Sequence, residues 1–284
     1  MRKLLISMVL FAVTGFGQQA DLASARSLYQ RTRYEQALEL LKNTSDQGAP
    51  ALLLAGECQY MLGEYKKASE VLEQAVRVDP NNSEAHLWLG RAYGRRAETS
   101  TFLTAPGLAT KARSSFERSV ELNPADKEAV SDLFEYYLEA PGFLGGGLDK
   151  ARSLAERTMN ADPSEYHYRL ALIADRRKQY KDAEEQLRRS VELAPRQVGH
   201  LIDLAKFLAR TGQYALSDDT FVQAEKIAPD NTHLMFERAK TYIKAGRRLQ
   251  EARLLLQRYL DSPLSPDDPP RSEAEQLLKQ AGSS

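Results

Sequence analysis

Four stretches of the chain follow one pattern: YKKASEVLEQAVRVDP from 65, ATKARSSFERSVELNP from 109, YKDAEEQLRRSVELAP from 180 and YALSDDTFVQAEKIAP from 214. In each, a small residue (Ala68, Ala112, Ala183, Ser217) is followed four positions on by a large apolar one. Another small residue comes three later and a proline five after that. Ala151, twelve residues ahead of Pro163, marks a fifth copy. Spacings of four and three place these residues on one helix face, and proline stops the helix. Pro80, Pro124, Pro163, Pro195 and Pro229 punctuate the chain, the last two gaps being 32 and 34 residues. Ten residues after four of them stand Gly90, Phe134, Ala205 and Ala239, within a second helical pattern. The unit is therefore two antiparallel helices, A and B, joined by a tight turn. The turns read LGEY, RKQY and TGQY, so a tyrosine opens helix B. One such pair cannot bury its apolar face alone, so neighbours must stack.

Composition supports an all-helical chain. Ala, Leu, Glu, Arg and Gln are abundant, and these are strong helix formers. Runs of β-branched residues are nearly absent, which argues against strands. The formal net charge is zero, which gives no global field for nucleic acid or an acidic membrane surface.

The repeat resembles the tetratricopeptide repeat, a unit of about 34 residues. The copies fall near 18–48, 49–82, 83–126, 127–163, 164–197, 198–231 and 232–262. The resemblance implies an all-α, right-handed superhelical solenoid of about seven helix-turn-helix repeats over 18–262. It also implies a concave groove lined by the A helices, and a role in binding other proteins. There are departures. The family's tryptophan at the fourth position is absent, and Trp88 sits two positions later. Copy three carries about ten extra residues and copy four about five, by comparison with the repeat length. Copy seven has Glu251 at the twentieth position, where the pattern wants a small residue, with Ala252 one later. After the last copy, residues 263–284 read as a proline-rich break, SPLSPDDPP from Ser262, then a capping helix, RSEAEQLLKQA.

The N-terminus has a different character. Arg2 and Lys3 precede LLISMVLFAVTGF, an apolar run ending in small residues. That is the layout of a secretory signal peptide, here 1–17, and it predicts an exported protein of bacterial type, periplasmic or secreted. A retained anchor is the alternative, opposed by the shortness of the run. No later segment is apolar enough to span a membrane. Cys58, the only cysteine, can form no internal disulfide.

The most glycine-dense stretch, LEAPGFLGGGLDKAR at 138–152, spaces Gly142 and Gly147 like a phosphate loop. Leu148 and Asp149 follow where such a loop needs lysine and serine or threonine, and no strand precedes it. Copy three has a shorter relative, FLTAPGLATKAR. Both read as elbows in which proline ends helix A, glycine takes positive φ, and Leu or Phe tucks back onto the core. His86, His167, His200 and His233 lie in four different repeats with no i,i+4 pair. Cys58 occupies a position that is apolar in other copies. No catalytic, cofactor or metal residues are expected, and the chain is not expected to be an enzyme.

The resemblance places the second, fifth, ninth, twelfth and thirteenth positions of each copy on the groove. Positions nine and thirteen carry like charges: Arg91 with Arg95, Glu135 with Glu139, Lys206 with Arg210, and Lys240 with Lys244. Arg91 and Arg95 are expected to pair across the repeat with Glu135 and Glu139. Lys206, Arg210, Lys240 and Lys244, with Arg176, leave a basic strip. Tyr168, Ile202 and Phe236 at position five form an apolar row beside it. These eight residues are the expected groove for a protein or peptide segment with acidic and apolar groups. A solvated face neutralised by Asp203 and Glu237 is the bland alternative. Two further classes stay open: an enzymatic or small-molecule solenoid using its inner channel, and a self-assembling structural protein.

Overall fold

The computed structural model describes residues 21–43 and 48–282. The expected signal peptide lies outside them. Among the described residues there are α-helices and one 3-10 turn, with no strand. The helices are α1 (21–30), α2 (Tyr34–Asn43), α3 (Ala49–Met61), α4 (Tyr65–Val78), α5 (Ser83–Thr99), α6 (Ala105–Leu122) and α7 (Lys127–Glu139). The 3-10 turn Gly142–Leu144 follows. Then come α8 (Leu148–Glu156), α9 (Pro163–Arg176), α10 (Tyr180–Leu193), α11 (Val198–Arg210), α12 (Tyr214–Ile227), α13 (Thr232–Lys244), α14 (Leu249–Asp261) and α15 (Arg271–Gly282). The chain divides into two compact units between Gly147 and Leu148, inside the fourth copy.

Within each unit, contacts run between helices close in sequence. In the first, α2 meets α3, α3 meets α4 and α5, α5 meets α4 and α6, and α6 meets α7. In the second, α8 through α15 stack the same way, with α11 on α13 and α13 on α15 as next-but-one neighbours. That is the contact pattern of stacked helix pairs. The small residues of the repeat are the contact points: Ala68, Ala112, Ala151, Ala183 and Ser217 are all fully buried. The buried serines donate to main-chain oxygens, Ser119 to Ser83 at 2.7 Å and Ser217 to Ala205 at 2.8 Å, so neither hydroxyl is stranded.

Local chemistry sets the helix ends. Asp79, Asn123, Ala194 and Ala228 cap α4, α6, α10 and α12 with φ of −132°, −138°, −135° and −142°. Each precedes a proline, which disfavours helical geometry in the residue before it. Asn82, Asp126, Asp162 and Asn231 start α5, α7, α9 and α13, their side-chain oxygens accepting main-chain N–H groups. Between helices A and B, Thr32, Gly63, Lys178 and Gly212 hold the same place with φ of 56°, 75°, 60° and 81°. Lys178 takes a left-handed conformation that costs a residue with a Cβ about 1–2 kcal/mol. Glycine there loses roughly 0.4–1 kcal/mol through the unfolded chain. Relief of strain outweighs that loss, so Lys178→Gly is expected to raise stability by about 0.5 kcal/mol, read as a higher thermal midpoint.

Several expectations are corrected. Pro106 does not end helix A of copy three; it sits in the first turn of α6, with Gly107 inside the helix. The extra residues of copy three lengthen both its helices, α5 to 17 residues against 13 in α3 and α6 to 18 against 14 in α4. Pro163 likewise begins α9 rather than stopping α8. Proline suits both places because the first turn needs no N–H from it. In copy seven Arg248 adds a left-handed residue to the turn, which moves the small buried position from Glu251 to Ala252. Of the apolar residues that follow Ala-Pro-Gly, Phe143 does not tuck in, being 83% exposed, whereas Leu108 is half-buried; Phe102, at the tip of the first elbow, is also 83% exposed.

The cap forms as read. Ala274, Leu277 and Ala281 of α15 are buried, the first two in one cluster with Tyr242, Leu256 and Tyr259. Asp268 accepts from Thr232 and Ser265, pinning the proline-rich break to α13.

Candidate functional site

All eight expected groove residues lie in the second unit, on α9, α11 and α13. The structure separates them by burial. Ile202 is 1% exposed and Phe236 0%, so the expected apolar row belongs to the core rather than to a surface. Phe236 packs against Tyr259, with ring centroids 5.3 Å apart. Tyr168 is half-buried, its ring 5.2 Å from that of His200. Of these position-five residues, Tyr168 alone is not part of the core.

The charges are paired rather than arrayed as a free strip. Lys206 Nζ lies 2.9 Å from Glu237 of α13 and 3.5 Å from Asp203 on its own helix. Burial works to lower the Lys206 pKa, but Asp203 and Glu237 outweigh it and hold it above the ordinary lysine value. Lys240 Nζ lies 2.8 Å from Glu273 of α15 and 5.4 Å from the Phe236 centroid. Arg210 donates to Asp175 of α9 at 2.8 Å, its guanidinium 5.2 Å from the Phe207 ring. So a lysine at position nine meets a carboxylate from the next A helix or the cap. Arg176 and Lys244 are exposed, and Lys244 has no ion-pair partner among the described residues.

The first unit uses the same device. Arg91 of α5 pairs with Asp132 at 2.6 Å and Glu128 at 2.9 Å on α7. The expected partners Glu135 and Glu139 lie further along α7. Arg95 pairs instead with Glu98 of its own helix and stacks 5.3 Å from the Tyr65 centroid. The reach of an arginine toward the following repeat falls short of the ninth position and meets the sixth.

The first unit also holds residues that sequence reasoning passed over. Trp88 stands edge-on to Tyr60 at 5.3 Å, with the Arg91 guanidinium 4.8 Å from its centroid. Glu57 of α3 is 1% exposed, with one oxygen on Arg26 of α1 and the other, Oε1, lacking a hydrogen-bond partner among the described residues. Its signal was in the register: Glu57 is the ninth residue of copy two, the column of Arg91, Lys206 and Lys240. Cys58 beside it is fully buried in the cluster of Tyr29 and Leu54, and burial pushes its thiol up to about 12. Among the described residues, no group of three His, Cys, Asp or Glu side chains is arranged to hold a metal ion. None of the described helices is long and apolar enough to cross a membrane.

Two family models, both described as tetratricopeptide repeat, match the chain, one over residues 28–92 and the other over 62–127 and 145–198. Together they cover more than half of it. A BBSome complex member BBS4 homolog from Drosophila melanogaster is 25% identical over 215 residues, 75% of this chain and 40% of that protein. The chain thus spans about two fifths of the length of this relative. Among solved structures, a tetratricopeptide repeat protein from Parabacteroides merdae superposes with a TM-score of 0.59. It is 14% identical, and the match covers 93% of this chain and 98% of that one. A thermophilic TPR protein of Thermus thermophilus gives a TM-score of 0.52 at 22% identity, over 67% of this chain and 98% of its own. At these identities the likeness is one of fold.

Proposed function

We propose, from the premise that this chain belongs to the tetratricopeptide repeat family, that it is a non-catalytic scaffold holding a partner segment on the A-helix face of its second unit. The observation that carries this reading is the row of cations there, Arg176, Arg210, Lys206, Lys240 and Lys244, with Arg176, Arg210 and Lys244 the most exposed. Because Lys206 and Lys240 already hold carboxylates of the neighbouring helices, they serve mainly to join repeats. Arg176 and Lys244 are exposed on the same helices, so a ligand meets them from solvent whatever else they touch, and Tyr168 supplies an aromatic edge. The partner is a peptide or protein segment whose acidic groups meet those two cations, with an apolar contribution smaller than the sequence suggested. The N-terminal pattern supports an exported setting, in a cell envelope or outside the cell.

The test is affinity capture from an envelope extract with the chain from residue 18, beside the Arg176→Glu/Lys244→Glu variant. The expected result is a partner lost from the variant at an unchanged thermal midpoint, since exposed charges contribute little to stability. Lys206→Glu is the control: it sets a carboxylate against Glu237 and Asp203 and is expected to lower the midpoint. A partner retained equally by the double variant would remove this face from the reading.

A further inference from the structure

The most exposed large apolar side chains described are Phe102, Leu103 and Phe143, at 83%, 76% and 83%. All three stand at the tips of the two inserted elbows of the first unit. Both elbows lie toward the N-terminal half of α6. The first runs into that helix at Ala105. The second is tied two turns further along, where Arg113 donates to the Leu144 carbonyl at 3.3 Å, about 12 Å up the axis.

The tips are held out by built turns. In the first elbow the amides of Thr104 and Ala105 donate to the Thr101 carbonyl at 3.0 and 2.9 Å. In the second, Tyr136 donates its hydroxyl proton to Leu144 O at 2.9 Å, and Gly147 N–H donates to Tyr137 O at 2.8 Å. Gly145 has φ of 86°, and a Cβ on Gly146 would lie 1.9 Å from the Ala140 carbonyl oxygen. Gly145 and Gly146, inside the glycine run that resembled a phosphate loop, are thus required by the turn that follows Phe143.

We propose that Phe102, Leu103 and Phe143 seat together in a lipid surface, as two shallow aromatic anchors of the first unit. Neither elbow carries a charge: none stands between Glu98 and Lys111, or between Glu139 and Asp149. Entry of the tips therefore carries no charge of the elbows' own sequence into the interfacial layer, and Phe and Leu are among the side chains that interfacial segments bury there. The first charges past the first tip, Lys111 and Arg113, are cations, the sign an anionic lipid surface attracts. Area argues against a protein occupant. A phenylalanine buries roughly 150–250 Å² when covered, so two such tips fall short of the ~800 Å² per partner of a stable interface. A lipid interface accepts isolated apolar tips without shape matching.

This inference is independent of the second-unit face, and its test contains no protein partner. Phe102→Trp and Phe143→Trp, made singly in the full chain, are mixed with phosphatidylcholine–phosphatidylglycerol vesicles. Trp88 is the only native tryptophan, so each spectrum is taken as a difference from wild type. The apolar N-terminal run can tether the chain by itself, so co-sedimentation does not decide. The readout is quenching of each tip by lipids brominated along the acyl chain. The expected result is a blue shift and at least twofold quenching at both tips. Tips left unquenched on sedimented protein, or quenching at one tip only, would overturn the proposal. So would a blue shift that grows with protein concentration in the absence of lipid, which would make a second copy the occupant.

Discussion

Arg26→Ala is expected to destabilise the N-terminal repeats by about 1.4 kcal/mol at pH 8, the most that a carboxyl with a folded pKa of about 7 loses before it takes up a proton, and by far less at pH 5. The pair is asymmetric: Glu57 is 1% exposed, while Arg26 keeps 38% of its side chain in solvent. Burial raises the Glu57 carboxyl from its ordinary 4.5 to about 7, and Arg26 pulls against that rise. A carboxyl whose folded pKa is raised costs nothing below its unfolded value, where both states are protonated. Stability is then lost as pH rises from about 4.5 to about 7 and stays reduced above that. Without Arg26 the buried Glu57 takes up a proton at pH 8 that it does not hold beside the arginine, which is the cost, whereas at pH 5 it already carries one. Glu57→Gln reverses the logic. It leaves only Arg26, which turns to water, so it is expected to be neutral or stabilising at pH 8. Hydrogen exchange of the α1 and α3 amides is the measurement, because end repeats open separately from the rest. An Arg26→Ala cost equal at the two pH values would show that the arginine acts by packing, its guanidinium lying 5.5 Å from the Tyr29 ring.

Gly90→Val is expected to cost about 3 kcal/mol, the upper end for overpacking a core. A Cβ on Gly90 of α5 would lie 2.6 Å from two ring carbons of Phe116 on α6, and that ring is itself buried. Alanine is a poorer probe, since its better helix propensity returns about 1 kcal/mol of what overpacking removes. Adding Phe116→Leu to Gly90→Val should recover part of the loss, so the two substitutions should couple by more than about 1 kcal/mol. Denaturant melts of the four proteins decide it. Strict additivity would mean that α5 and α6 do not meet at these residues. Gly56 against Leu72, with a Cβ-to-Cγ distance of 2.4 Å, makes the same contact one repeat earlier.

These two sites mark where reading from sequence succeeded and where it stopped. Gly90 was legible because its column is small or apolar in copy after copy, and repetition turns one residue into a pattern. Glu57 was not, since a charged side chain in a groove column reads as solvated. Only the approach of α1 shows it to be buried. The charge pairs were half legible. Like charges at i and i+4 on one helix are visible in the string. Their partners stand 31 residues on for Lys206 with Glu237 and 33 for Lys240 with Glu273, and stacking chooses between neighbouring carboxylates. The copy-three elbow was misread for a local reason: Ala-Pro-Gly fits a helix stop, as at Pro141 after α7, and a first turn, as at Pro106 in α6, alike.

By itself the sequence determined the helix pairs, their tyrosine starts and most of their proline stops, the buried small-residue columns, the longer third copy and the C-terminal cap. These follow from short-range rules acting within a few residues: helical period, pre-proline geometry and side-chain capping. Only the tertiary structure decided that Ile202 and Phe236 are core, that Lys206 and Lys240 are joined to α13 and α15, that Glu57 is buried with Arg26, and that Phe102 and Phe143 stand in the open. Each depends on what the neighbouring repeat or turn places against a side chain, and burial and pairing are set by that distant surface rather than by the residue's own segment.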